Sequence, residues 1–225
     1  MMNQRLNTLY ANIEISNYNK FLRNEVEIDP MIGKSIHGTT LQIELSEKVK
    51  NIICAFQEKL VRLEPEALFV TPRLNQHISF NQVVFWNGKY TLGVSETWKQ
   101  IETKFVKNFQ ELNYVFNAFP ITFSKLIATT GAIIWCAFDE NDELETLRND
   151  FYHRLPFPEE RCKSNHFIHT SVVRFQKKLS NPQRILELVR DFSQKATMKV
   201  KDIVLLKECR YPSLNTQEVA RISLR

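Results

Sequence analysis

The order in which strand-like and helix-like segments follow one another constrains this chain more than any other feature of its sequence. Residues 39–45 alternate apolar and polar side chains as a strand does, and Ser46 with Glu47 then marks a helix start. In that helix Val49, Ile52, Ile53, Phe56, Leu60 and Leu63 recur at spacings of three and four, so one face is buried. Pro65 and Pro72 bracket a connection, and residues 77–86, rich in β-branched and aromatic side chains, read as a strand ending at Asn87-Gly88. The longest helix signal follows at 95–119, where Trp98, Ile101, Phe105, Phe109, Leu112 and Phe116 form a stripe of core character.

The second half runs in a similar order. Two apolar strand-like runs, 121–129 and 132–138, flank Thr130-Gly131 and make a hairpin. Residues 139–142 cap a helix whose Leu144, Leu147, Phe151 and Leu155 keep the helical period until Pro156. A strand is expected at 166–175, a helix opening at Asn181-Pro182 with Ile185, Leu188, Val189 and Phe192, a strand at 198–208, and a further short strand near 219–224. In each half a helix joins one strand to a later strand, and another helix follows. This coarse duplication, without a visible sequence repeat, predicts a mixed α+β architecture in two sheet-bearing lobes.

Residues 1–34 are polar with scattered aromatics, and Asp29-Pro30 with Gly33 marks a turn. They read as an N-terminal arm with one short helix near 18–23, leaving residues 35–225 as a single bilobal domain. With 225 residues and 43% hydrophobic content a full core is within reach, and 5 Gly and 8 Pro argue against a fibrous or linker-like chain. The 30 Lys and Arg outnumber the 25 Asp and Glu by five, which favours an anionic partner; because they are spread out, they do not single out nucleic acid.

Cys54, Cys136, Cys162 and Cys209 lie far apart with no close pairing, which excludes the usual zinc spacing and suggests reduced core residues. The N-terminus lacks a signal-peptide apolar segment, and no run approaches the roughly 20 apolar residues of a membrane span. The expectation is a soluble, cytoplasmic monomer with no membrane partner.

Two short motifs stand out on strand candidates: His77-Ile78-Ser79 and His169-Thr170-Ser171. Residues i and i+2 of a strand leave the same face about 6.6 Å apart, so each motif presents an imidazole beside a hydroxyl. One His-x-Ser is common by chance, and an isolated strand histidine is ordinarily structural. Two of them, at equivalent places in two similar halves, point to a site. Facing each other across a cleft, a neutral imidazole would remove a proton from an attacking oxygen while a protonated one supplies the leaving oxygen. The serines would hold the non-bridging oxygens of a phosphodiester, and no metal is required.

The pair HISF at 77–80 and HTSV at 169–172, 92 residues apart, resembles the doubled His-x-Ser/Thr-hydrophobic signature of the 2H phosphoesterase superfamily, which includes 2′-5′ RNA ligase-like proteins and cyclic nucleotide phosphodiesterases. The likeness spans roughly residues 35–210 and includes the approach TPRLNQHISF, Leu147-Arg148 before the second motif, and FIHTSVVRF. It implies a bilobal α+β fold of two antiparallel-sheet lobes with pseudo-twofold symmetry and a central cleft. His77 and His169 would be catalytic, Ser79 and Ser171 would bind the substrate phosphate, and no cofactor would be needed. The implied activity is that of a phosphoric diester hydrolase acting on 2′,3′-cyclic phosphate or 2′-5′-linked nucleotide or RNA, with ligation left open. The alternative is a nucleotide- or RNA-binding module with the same cleft and little catalysis.

Arg174 lies at an odd offset from the second motif and would reach phosphate only past a bulge or at the strand end. Trp86 and Tyr211 are candidates for stacking on a base, whereas Trp135 sits in an apolar strand and reads as core. His166 would face away from His169, and His37 and His153 read as loop and helix-end residues. No P-loop, GxGxxG or HExxH pattern is present.

Overall fold

The structure is a computed structural model and describes residues 3–160 and 167–225. It opens with a long helix, α1 (Gln4–Leu22), where the sequence suggested only a short one near 18–23. The apolar stripe of α1 is narrow, which is why its period is hard to see, yet Leu6, Tyr10 and Phe21 are completely buried. Asn3 caps its first turn by accepting the Leu6 N–H.

Then come β1 (Ser35–Glu44), α2 (Glu47–Leu63), β2 (Leu68–Val70), β3 (His77–Val84) and α3 (Val94–Gln110). The second half contains β4 (Phe119–Ala128), β5 (Ala132–Phe138), α4 (Glu143–Arg154), β6 (Ile168–Phe175), α5 (Pro182–Arg190), β7 (Ala196–Val200), β8 (Asp202–Arg210) and β9 (Asn215–Ser223). Caps fall where the sequence places them for α2, where Ser46 accepts the Val49 N–H, and for α5, where Asn181 accepts the Arg184 N–H before Pro182. At α4 the capping carboxylate is Asp139, which accepts the Leu144 N–H at 2.8 Å, while Asp142 is occupied by Asn3 and Arg5.

The strands form two antiparallel sheets, one in the order β3-β1-β8-β9 and the other β2-β6-β5-β4-β7. This is the expected α+β architecture in two lobes, with one motif strand in each sheet. Besides α1 and the longer β9, three elements depart from expectation. α3 stops at Gln110 instead of near 119, because backbone groups just beyond it bond to the chain's last residues: Tyr114 N–H to Ser223 O at 2.8 Å and Ala118 N–H to Arg225 O at 2.6 Å. The single strand expected at 198–208 is two strands in different sheets, broken at Lys201, whose carbonyl accepts the Leu224 N–H. Period-2 patterning cannot register that change of partner. The three-residue β2, too short to pattern, lies in the segment read as a connection and pairs with β6.

The cysteines divide: Cys136 is buried, Cys54 half-buried and Cys209 exposed at the end of β8, so the last is not the core residue expected. Cys162 and His166 lie outside the described residues. His37 is an exposed residue of β1 and not of a loop, while His153 lies in the last turn of α4. Trp135 is buried in the core. Among the described residues no helix is long and apolar enough to cross a membrane.

Candidate active site

β3 carries the first motif along an edge of its sheet, but its side chains do not simply alternate. The β1–β3 register passes from Gln42↔Ser79 to Leu41↔Asn81, and from Thr40↔Gln82 to Thr39↔Val84, so Phe80 and Val83 are extra residues. Each extra residue is a β-bulge that moves the following side chain to the other face. His77, Ser79, Gln82 and Phe85 therefore line one wall of a cavity of about 240 Å³.

β6 repeats the device. Its register with β5 passes from Ile134↔Ser171 to Ile133↔Val173, leaving Val172 as the extra residue. His169, Ser171 and, beyond the bulge, Arg174 line the opposite wall of the same cavity. The odd offset of Arg174 is thereby resolved by a bulge. Its Gln82 counterpart, at the same distance from the first histidine, was not singled out by sequence reading; the shared +5 position is the signal that could have found it.

The two imidazoles differ in their surroundings. His77 Nδ1 lies 2.7 Å from the Asn75 carbonyl oxygen, which makes Nδ1 the protonated nitrogen and leaves Nε2 free, 3.4 Å from Ser79 Oγ. Burial lowers the His77 pKa, the Asn75 carbonyl opposes that, and Arg174 adds to it. His169 instead lies flat on the Phe167 ring, with centroids 4.3 Å apart and 18° between planes. It is pushed down to about 3, by burial first and then by the positive charges of Arg174 and Arg148 and by His77. Both shifts favour the neutral imidazole.

Arg174 is placed by three neighbours. β2 pairs Phe69 beside it, its guanidinium lies 5.3 Å from the centre of the Tyr211 ring, and Nη1 is 3.5 Å from Asp29, delivered by the segment after α1. That segment is pinned to β6 by the Asp29 N–H, which donates to Phe175 O. α1 also braces the second motif directly. The Tyr10 hydroxyl accepts the Ile168 N–H at 3.0 Å and lies 2.6 Å from the Ala137 carbonyl oxygen, joining β5 and β6 one residue before His169.

The remaining wall is aromatic and polar. Trp86 and Tyr211, both singled out in sequence, meet edge to face at 5.2 Å and line the cavity together. Burial pushes the Tyr211 phenol up to about 12. Gly38 packs closely behind this wall: a Cβ there would stand 3.3 Å from Glu208 Oε2 and 3.4 Å from Trp86 Cβ. Glu208, missed in the sequence, has its carboxyl pKa raised by burial. Ser213 donates to it and in turn accepts from Gln42 Nε2 at 3.2 Å. Asn75 Nδ2 donates to the Ser213 carbonyl, tying this wall to the loop before His77.

All seven candidates, His77, Ser79, His169, Ser171, Arg174, Trp86 and Tyr211, are thus brought together around one cavity. Three of its buried polar atoms, Thr71 Oγ1, Thr170 Oγ1 and Arg174 Nε, have no hydrogen-bond partner. Such atoms cost about 1–3 kcal/mol each when unmet, a cost that a polar ligand offsets. Among the described residues no three His, Cys, Asp or Glu side chains gather as a metal-ligand set.

Comparison with family models and with curated proteins gives no match. Solved structures do match. Escherichia coli LigT complexed with 3′-AMP superposes with a TM-score of 0.54 at 12% identity, over 85% of this chain and 99% of that one. A structure described as a phosphoesterase gives 0.53 at 11%, over 84% and 98%. A conserved protein of unknown function from Agrobacterium tumefaciens gives 0.61 at 12%, over 83% and 85%. At such identities the likeness is one of fold, and it is the fold implied by the motif resemblance to the 2H phosphoesterases.

Proposed function

We propose that this chain is a phosphoric diester hydrolase acting, without a metal, on a 2′,3′-cyclic phosphate or a 2′-5′-linked nucleotide or RNA. The observation that carries the reading is the convergence of two His-x-Ser strands, each bulged at the same place, on one cavity that also holds Arg174. The LigT structure that shares this fold contains 3′-AMP, which supports a nucleotide phosphate as the ligand class.

The asymmetry of the imidazoles suggests how the protons move. A bound phosphate brings negative charge into the cleft and favours imidazolium formation. His77 protonates first, since the Asn75 carbonyl accepts its Nδ1–H and stabilises the cation. His169, stacked on Phe167 and beside Arg174, remains neutral. For a cyclic phosphate, His169 takes a proton from water as its oxygen bonds to phosphorus. The bond from phosphorus to one ribose oxygen breaks, and His77 Nε2–H protonates that oxygen, leaving a phosphomonoester. The Ser79 and Ser171 hydroxyls and Arg174 hold the non-bridging oxygens as their charge redistributes.

The test is turnover of 2′,3′-cyclic AMP in EDTA, followed across pH. The expected result is a bell-shaped profile with a phosphomonoester product. Undiminished turnover in His77→Ala or His169→Ala would refute the reading. Salt-sensitive RNA binding with no turnover across cyclic and 2′-5′-linked substrates would replace it with a binding module.

A further inference from the structure

The bulges at Phe80 and Val172 occupy the same position in the two motifs, three residues after each histidine. A bulge takes backbone groups out of the strand ladder and leaves them to find partners elsewhere. In β3 the partner is Arg148 of α4, which is 2% exposed. Its Nε donates to Phe80 O at 2.8 Å and its Nη2 to Ser79 O at 3.1 Å. The Phe80 side chain packs on the same helix, edge to face with Phe151 at 5.0 Å. In β6 the Val172 carbonyl keeps one long backbone bond, from the Thr71 N–H at 3.4 Å, and its closer partner is Gln57 of α2, which is 4% exposed. Its Nε2 donates to Val172 O at 2.7 Å and to Thr71 O at 2.9 Å.

The two helices cross over. α4 follows β5 of the five-stranded sheet but grips β3 of the four-stranded one, and α2 follows β1 of the four-stranded sheet but grips β6. Each motif is thus held from behind by a helix that the chain reaches from the other sheet.

We propose that Arg148 and Gln57 are a matched pair of positioning residues, holding the bulges that aim Ser79 and Gln82 on one wall, and Ser171 and Arg174 on the other, at a single bound phosphate. Neither touches the substrate position; each acts through the strand it grips. If a bulge relaxes, every side chain beyond it turns to the other face, so Gln57 acts through Arg174 and Arg148 through Gln82 and the Ser79 backbone. Arg148 adds a charge that Gln57 lacks. It is one of the cations, with Arg174, that disfavour protonation of His169, to which His77 also contributes. Their effect on turnover rests on the phosphodiesterase proposal, whereas their effect on strand register and on the His169 titration does not.

Three measurements on the full chain test this. In Arg148→Lys, which keeps the charge but loses the two-pronged donor, kcat/KM for 2′,3′-cyclic AMP is expected to fall at least tenfold while the His169 imidazole titrates by NMR as in the wild type. In Arg148→Met the His169 titration moves to higher pH; an unchanged titration in a folded protein would overturn the electrostatic part. Gln57→Leu should cost at least tenfold in the wild-type background and less than threefold when Arg174→Ala is already present, since one acts through the other. Full additivity, or a crystal structure of Gln57→Leu with the Val172 bulge and Arg174 unmoved, would overturn the positioning role. Gln57→Met, which keeps the side-chain length but removes the donor, serves if Gln57→Leu does not fold. If the wild type has no turnover, the phosphodiesterase proposal fails, and the NMR titration and crystal register still decide the positioning pair.

Discussion

On β3, the imidazole is fixed by an Asn75 carbonyl and followed five residues later by Gln82, a neutral amide; on β6, the imidazole lies on Phe167 and is followed by Arg174, a cation. Behind β3 stands charged Arg148, and behind β6 neutral Gln57. A bulge three residues after the histidine is common to both strands, and β3 adds a second at Val83. What differs is the distribution of charge and of hydrogen-bond acceptors. A pseudo-symmetric frame therefore supplies geometry twice, while departures from symmetry give two identical side chains different proton affinities. On the proposed mechanism, the second wall would hold the anion and the first would stabilise the imidazolium.

The sharpest way to break this comparison is to remove the imidazoles one at a time. His77→Ala and His169→Ala should each lower kcat for 2′,3′-cyclic AMP by about 10²–10⁴-fold. A large loss in only one would mean that the strands are not functional partners.

Next comes the +5 pair. Arg174→Gln makes the second wall chemically like the first and should weaken phosphate binding by about ten- to a hundredfold, the worth of a charge-assisted hydrogen bond. Gln82→Ala should change it by less than about fivefold, since the bond lost there is neutral. Equal effects in calorimetric titrations with inorganic phosphate would erase the asymmetry.

The depressed His169 pKa has a consequence for stability with a definite sign. The folded-state value, about 3, lies below the ordinary 6.5, so between those two pH values the unfolded chain binds more protons than the folded one. Stability from this group is complete above about pH 6.5 and is lost as pH falls toward 3. His169→Gln should therefore flatten the acid side of the stability curve by about 1–3 kcal/mol in urea titrations at pH 7 and pH 4. His77→Gln should flatten it less, because the Asn75 carbonyl opposes the burial penalty there.

The smallest expected effect is on the aromatic wall. Trp86→Ala or Tyr211→Ala should weaken 3′-AMP binding by about fivefold, the low end of base stacking, and leave inorganic phosphate nearly unaffected unless Arg174 shifts off the Tyr211 ring. Equal losses for both ligands would show that the wall acts only by seating Arg174.

Much of this was legible in the sequence. Alternation and helical period located most strands and helices. The His-x-Ser pair, with Arg174, Trp86 and Tyr211, lay in the sequence as seven residues that the fold gathers around one cavity. α1 was harder to see, its buried face being as narrow as Leu6, Tyr10 and Phe21, and the break at Lys201 is a change of sheet with no period of its own. Gln57 and Arg148 did leave a trace, each a polar residue set four positions after a buried apolar one, Ile53 and Leu144, on the inward face of its helix.

By itself, then, the sequence determined most of the strands and helices and singled out the His-x-Ser pair proposed to carry the chemistry, because periodicity and residue type are local properties. Only the tertiary structure decided where the bulges fall and that Gln82 and Arg174 turn into the cleft. Those outcomes depend on which strands pair in which register and on which helix crosses behind them, and both are set by contacts between residues far apart in the chain.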